Sequence, residues 1–370
     1  MDYVYGKIYK NGRFQTGYLG FENGTIKITG GRPSDKIRNN ALAKGLIIPT
    51  FRNAHTHLAD SFLYGQFAGS SIEQLVDPRS GLKMRKLKTA RESTIVNASK
   101  EVLREMLHTG TSSFIDFREM GMKGILQSQK SIEDLPIEAH VMGRPFDTAD
   151  YKKDIDDILT HADGIGLSAL NDWPIETVTA IAKRTKRRKK KFALHVSEGV
   201  REDIDKVIDL RPDFIIHMIE STRSDLEAVS ENDIPVVVCP RANMFFGKYP
   251  DITAMSEAGI RLMLGTDNAM ISRPDMFREV QFAYRCAKLT GGISPGEIMR
   301  IVFDNPDTVF SDRGSRTSSP LSRNRPARFA VVDVPHLNGL AHPENLLCLG
   351  LSSRQLDLIC LDNYIWRRLK

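Results

Sequence analysis

The chain has 370 residues, 41% of them hydrophobic and 26% charged, with a net charge of +6. This is the balance of a folded globular protein, not of a disordered one. No stretch approaches the roughly 20 apolar residues that cross a bilayer, the N-terminus MDYVYGKIYKNGRF lacks an apolar signal core, and Cys239, Cys286, Cys348 and Cys360 form no CxxC pair, so a cytoplasmic protein with free thiols is expected.

In chain order, residues 1–44 read as short strands of alternating polarity, with hairpin turns at Asn11-Gly12 and Asn23-Gly24. Eight apolar runs follow: GLIIPTF (45–51), TSSFIDF (111–117), IEAHVMG (137–143), GIGLSAL (164–170), KFALHVS (191–197), DFIIHMI (213–219), IPVVVCP (234–240) and IRLMLGT (260–266). Amphipathic segments lie between them. TIVNASKEVLREMLHTG has apolar residues at helical spacing and stops at Gly110. YKKDIDDILTHADG, PIETVTAIAKRTKRR, REDIDKVIDLRPD, RSDLEAVSEND and RPDMFREVQFAYRCAKL suit helices too. RPARFAVVDV and LDLICLDNYIWRRL return to strand character at the far end.

Eight strands alternating with helices predict the α/β class, as a (β/α)8 TIM-like barrel, with a small β-sandwich domain built from both termini. The expected division is 1–44 plus 326–370 for the β domain, 45–310 for the barrel and 311–325 as connector. A doubly wound open sheet is the competing architecture, but no GxGxxG follows the first strand.

Barrel chemistry sits at the C-terminal ends of the strands. The first run leads into FRNAHTH, where His55 and His57, two residues apart on a strand, share a face. Strand 5 carries His195 and then Glu198, strand 6 His217, and strand 8 Asp267. A single histidine in an apolar strand is usually a satisfied core residue, and an aspartate after a strand often caps a helix. Their joint fall at one mouth points instead to a metal site. His108, His140, His161, His336 and His342 fall elsewhere and receive no role.

PTFRNAHTH, HVSE, the histidine of IIHM, CPRAN and GTDN together resemble the amidohydrolase superfamily, in the branch of cytosine and guanine deaminases and chlorohydrolase-like aminohydrolases. The resemblance runs over nearly the whole chain. It departs at Thr50, where that branch usually has glycine, and in residues 60–87, which match weakly where substrate is normally defined. The resemblance implies metal ligands His55, His57, His195 and Asp267, holding Zn²⁺ or, alternatively, Fe²⁺. Two-metal members use a carboxylated strand 4 lysine; GIGLSALND has none, so one ion is expected. Glu198 is then the general acid, His217 orients the attacking oxygen, and Asp267 takes its proton.

The implied reaction is hydrolytic deamination of a heterocyclic amine, such as a nucleobase or nucleoside, with release of ammonia. Hydrolysis of a non-aromatic C–N bond, as in a cyclic amide, an imidazolone or a formimino group, is the alternative. A scaffold without activity is disfavoured because every ligand and acid/base residue is present. Phe62, Arg118, Arg144, Trp173, Asn243 and Phe245 follow strand ends or the HxH pair and are candidate contacts for a small-molecule substrate. No membrane is expected as a partner, and a homo-oligomer is compatible with the sequence. The basic run KRTKRRKKK (183–191) could attract nucleic acid. It precedes strand 5, however, which puts it on the face opposite the site, so nucleic acid is not the expected partner.

Overall fold

The computed structural model describes residues 1–370 except 68, 79, 147–150, 311–318 and 369–370. The first part of the expected connector, 311–318, therefore lies outside the described residues. Strands β1 (Asp2–Lys10), β2 (Arg13–Glu22) and β3 (Thr25–Gly30) form an antiparallel meander. Both Asn-Gly pairs turn with positive φ at each residue: 48° and 83° at Asn11 and Gly12, 49° and 68° at Asn23 and Gly24. That backbone matches the twist of the strands it joins. β4 (Ala41–Pro49) pairs parallel to β1.

The apolar run 45–51, expected as the first barrel strand, divides at Thr50. Its first part completes β4, and the barrel begins with β5 (Phe51–His57). Both halves are buried, so an unbroken apolar run carries no mark of the change of sheet. The Thr50 hydroxyl meets Ser112 Oγ at 2.7 Å.

The barrel strands continue as β6 (Thr111–Arg118), β7 (Glu138–Gly143), β8 (Gly164–Leu167), β9 (Lys191–Val196), β10 (Phe214–His217), β11 (Val236–Val238), β12 (Leu262–Leu264) and β13 (Asp267–Asn268). All neighbours pair in parallel. β12 pairs with β11, whereas β13, two residues on, pairs with β5 through Asp267↔Thr56 and Asn268↔His57. One short segment thus joins both ends of the nine-strand sheet, as a TIM-like barrel requires. At the join, Thr266 N–H donates to His55 O at 3.0 Å. A Cβ on Gly265 would stand 2.7 Å from the His55 Cβ, so only glycine permits this approach.

Helices cover the barrel. Glu92–His108 buries Ile95, Val102, Leu103, Met106 and Leu107 on one stripe. Tyr151–His161, Ile175–Arg187, Ile204–Asp209, Arg223–Glu231 and Met276–Leu289 fall where the sequence pattern places them. A smaller apolar cluster, including Ile115, Phe117, Ala193, Phe214 and Ile216, takes alternate residues of the barrel strands. The intervening Phe114, Leu194 and Ile215 belong to the main core.

β14 (Arg328–Val332), β15 (Leu356–Leu361) and β16 (Tyr364–Arg367) close the chain. They join the N-terminal strands in one sheet of seven, ordered β16-β15-β14-β4-β1-β2-β3. Both termini therefore build the same sheet.

Candidate metal and catalytic site

Five side chains from four strand ends meet at one mouth of the barrel. His55 Nε2 lies 3.3 Å from Asp267 Oδ1, and His57 Nε2 lies 3.6 Å from the same oxygen. His57 Nε2 and His195 Nε2 are 3.3 Å apart. One ligand atom each from His55, His195 and His217 lies within 4.8 Å of the others, and the same holds for His55, His57 and Asp267.

Local backbone explains the aim. On β10, Phe214 and Ile216 face the inner cluster, so alternation would send His217 outward with Ile215. His217 (φ 81°) and Met218 (φ 57°) adopt left-handed backbone instead, and this turns the imidazole back to the mouth. Asp267 (φ 59°) and Ser197 (φ 50°), the residue before Glu198, are left-handed too. Such geometry costs on the order of 1–3 kcal/mol per residue and gathers where function fixes a side chain.

Second contacts set the imidazole tautomers. His195 Nδ1 donates to Leu167 O at 2.8 Å, leaving Nε2 with its lone pair toward the cluster. Asn243 Nδ2 donates to His217 Nδ1 at 3.2 Å. His57 Nδ1 lies 2.9 Å from Glu119 Oε1. Burial lowers the affinity of His55, His195 and His217 for a second proton, so these rings stay neutral. Burial would raise the Asp267 carboxyl, but the His55 imidazole 3.3 Å away and the surrounding rings bring it below its ordinary range. Both ring nitrogens of His55 are buried without a hydrogen-bond partner. Neutral imidazoles, one ionised carboxylate and unpartnered nitrogens aimed inward form a donor set that fits a divalent cation.

Glu198 Oε2 is 3.5 Å from His217 Nε2. Burial raises the Glu198 carboxyl above its ordinary value, which keeps a proton available. Glu198, His57, His195, His217 and Asp267 line a cavity of about 280 Å³. Ile72, Val76, Pro78 and Met84 give it an apolar wall. Those residues come from the weakly matching stretch 60–87.

Of the six candidate substrate contacts, Arg144 lines this cavity. Asn243 is buried behind His217. Arg118 is fully buried, with Nε donating to Gly124 O at 3.1 Å. Trp173 Nε1 donates to Ser168 Oγ at 3.0 Å, and Phe62 packs beside Ala59 and Met84. Phe245 lies near the surface, its ring against Phe246. Among the described residues, no phenylalanine, tyrosine or tryptophan lines the cavity.

Sequence reasoning missed Glu119, Lys83 and Asp60. Glu119 follows β6, where Ile115 and Phe117 face the inner cluster; extending that alternation by two residues reaches Glu119, whereas Arg118 faces away. Lys83 belongs to the helix Leu82–Thr89 and is buried, 2.6 Å from Glu119 Oε1 and 3.3 Å from Asp60 Oδ2. Burial pushes Asp60 up to about 7 despite Lys83. Nothing local in the sequence marks this lysine. In the basic run, Arg184 and Arg188 both pair with Asp156. All four cysteines are buried free thiols, and among the described residues no helix is long and apolar enough to cross a membrane.

The model of the amidohydrolase family matches residues 46–306. The chain is 33% identical to an uncharacterized protein of Methanocaldococcus jannaschii over 324 residues, covering 82% of each. It is 22% identical over 386 residues to the 5-methylthioadenosine/S-adenosylhomocysteine deaminase of Pyrococcus furiosus, covering 93% of this chain and 89% of that one. A crystal structure of an adenosine deaminase from Xanthomonas campestris with bound zinc superposes with a TM-score of 0.80 at 16% identity, over 98% of this chain and 92% of that one. With 46–306 matched by the family model, this chain belongs to the amidohydrolase family.

Proposed function

We propose that the chain is a metal-dependent hydrolase that deaminates a heterocyclic amine, with His55, His57, His195 and Asp267 as ligands to one Zn²⁺. The observation that carries this reading is the convergence of Glu198 and His217 with His57, His195 and Asp267 in a single cavity, with His55 buried against Asp267 behind it. The deaminase names of the Pyrococcus and Xanthomonas proteins support it. So does the absence of lysine from β8, which removes the usual bridge for a second ion.

A divalent cation held there would supply Lewis acidity, bringing the pKa of a water from about 15.7 towards 7. Asp267, whose Oδ2 lies 4.0 Å from His217 Nε2, would accept the proton of the attacking water. His217 receives the Asn243 donor at Nδ1, so its proton sits on Nε2, facing both Glu198 and the site of attack. From there it orients the oxygen and stabilises the charge that develops at the attacked carbon. Glu198 protonates the ring nitrogen beside that carbon and, as its conjugate base, takes the remaining hydroxyl proton when the carbonyl forms. The proton held by Asp267 goes to the leaving amine, so both carboxyls return to their starting states. Bond to oxygen forms, bond to nitrogen breaks, and ammonia and the ring carbonyl leave. The apolar wall at 72–84 accepts the ring, and Arg144 is the candidate contact for a polar substituent.

The same reading takes the terminal strands as a composite β domain folded as a small sandwich, with β4 included, beside a barrel that runs to residue 310. It also assigns a cytoplasmic setting, supported by the four unpaired buried thiols.

The test is ammonia release by zinc-loaded protein over a panel of nucleobases, nucleosides, pterins and triazines, with lactams and imidazolones alongside. Ammonia from at least one aromatic amine is the expected result. Ring opening of a lactam with no ammonia from any aromatic amine would overturn the deaminase reading.

A further inference from the structure

Resting on the metal site just described, we propose that Glu119 and Lys83 are positioning residues for the metal ligand His57. Glu119 Oε1 is approached by three groups: Lys83 Nζ at 2.6 Å, His57 Nδ1 at 2.9 Å and Arg144 Nη2 at 3.3 Å. A carboxylate this close to Nδ1 favours the imidazole proton on that nitrogen and leaves the lone pair on Nε2, the contact being an ion-pair approach of 2.9 Å. That nitrogen is the one facing His195 Nε2 and Asp267 Oδ1. Glu119 is buried, and a buried carboxylate stays ionised only when it is paired. Lys83 provides the pairing, with its buried Nζ 2.6 Å from Glu119 Oε1.

Lys83 also reaches the other side of the site. Its Nζ is 3.3 Å from Asp60 Oδ2, and the Asp60 carboxylate accepts from Asn268 Nδ2 at 2.8 Å and Met270 N at 2.9 Å. Asn268 follows the ligand Asp267 in the chain. One ammonium group therefore braces the supports of a ligand on β5 and of a ligand on β13. The helix Leu82–Thr89 that carries it forms part of the cavity wall through Lys83 and Met84, with Met84 and Leu87 packed on Ala59 and Ile95. The stretch of sequence that shapes the substrate cavity thus also fixes metal-ligand geometry.

Lys83 lines the cavity, so direct substrate contact is the competing role, and the experiment separates the two. Full-length Glu119→Gln, Lys83→Met, Lys83→Arg and the double variant Glu119→Gln/Lys83→Met are loaded with Zn²⁺. Zinc affinity is measured by chelator competition, and the ligand field is read from the visible absorption of the Co²⁺-substituted protein. Glu119→Gln is expected to weaken zinc binding about 10–100-fold and to alter the cobalt spectrum. Lys83→Met moves both in the same direction, Lys83→Arg restores them in part, and the double variant binds zinc no worse than Glu119→Gln, because the two residues act as one unit. Where Lys83→Met does not fold, Glu119→Gln decides. Zinc affinity within about threefold of wild type in Glu119→Gln overturns the proposal. So does a raised KM in Lys83→Met with zinc affinity and cobalt spectrum unchanged. Zinc affinity and the cobalt spectrum need no substrate, so they stand or fall apart from the deaminase reading.

Discussion

Replacing Glu198 by glutamine gives the sharpest test of the chemistry. The amide has nearly the shape of the carboxyl, so the cavity and the 3.5 Å approach to His217 Nε2 are kept. What is lost is the transferable proton. General acid catalysis contributes about 10²–10⁴-fold, which at 1.36 kcal/mol per decade is about 3–5 kcal/mol of barrier. Glu198 is not among the proposed ligands, so zinc content should stay at one per chain. The sign of the pH effect follows from burial. The Glu198 carboxyl is raised, so it keeps its proton to higher pH than an exposed glutamate, and activity that needs this proton falls as pH rises through that raised value. Ammonia release measured against pH, with zinc determined on the same samples, should show kcat down at least 100-fold and the alkaline fall associated with this carboxyl gone. A variant within threefold of wild type, or one that loses zinc in proportion to activity, would refute the assignment of Glu198 as proton donor.

Removal of His55 tests the ligand set. Zinc at 100 times its Kd should stabilise the wild-type chain by about 2.7 kcal/mol, or about 3–4 °C in Tm for a protein of this length. His55→Ala should lose that increment and retain little zinc; an undiminished zinc-dependent shift in calorimetry would count against the site. Gly265→Ala tests the barrel join, because the new methyl would lie 2.7 Å from the His55 Cβ. Overpacking of this kind costs about 1–3 kcal/mol, and the displaced His55 should weaken zinc binding as well. Unchanged Tm and unchanged zinc affinity would show that the join tolerates the methyl.

The alternation of apolar runs and amphipathic segments encoded the barrel, because each strand and helix must bury a face and each pattern has its own period. The histidines and acids after runs 1, 5, 6 and 8 were legible for the same reason: strand ends can be read from local sequence. The division of 45–51 between two sheets was not legible, since Gly45–Pro49 and Phe51 are buried on either side of the change and differ only in their pairing partners. Nor did the sequence show how His217 escapes the alternation of β10, because left-handed backbone at a histidine is imposed by its surroundings. Lys83, Asp60 and Glu119 are ordinary charged residues in the sequence. Only the fold brings Lys83 within about 3 Å of both Asp60 and Glu119 and seats Glu119 against His57, because their interaction depends on burial and distance across elements far apart in the chain.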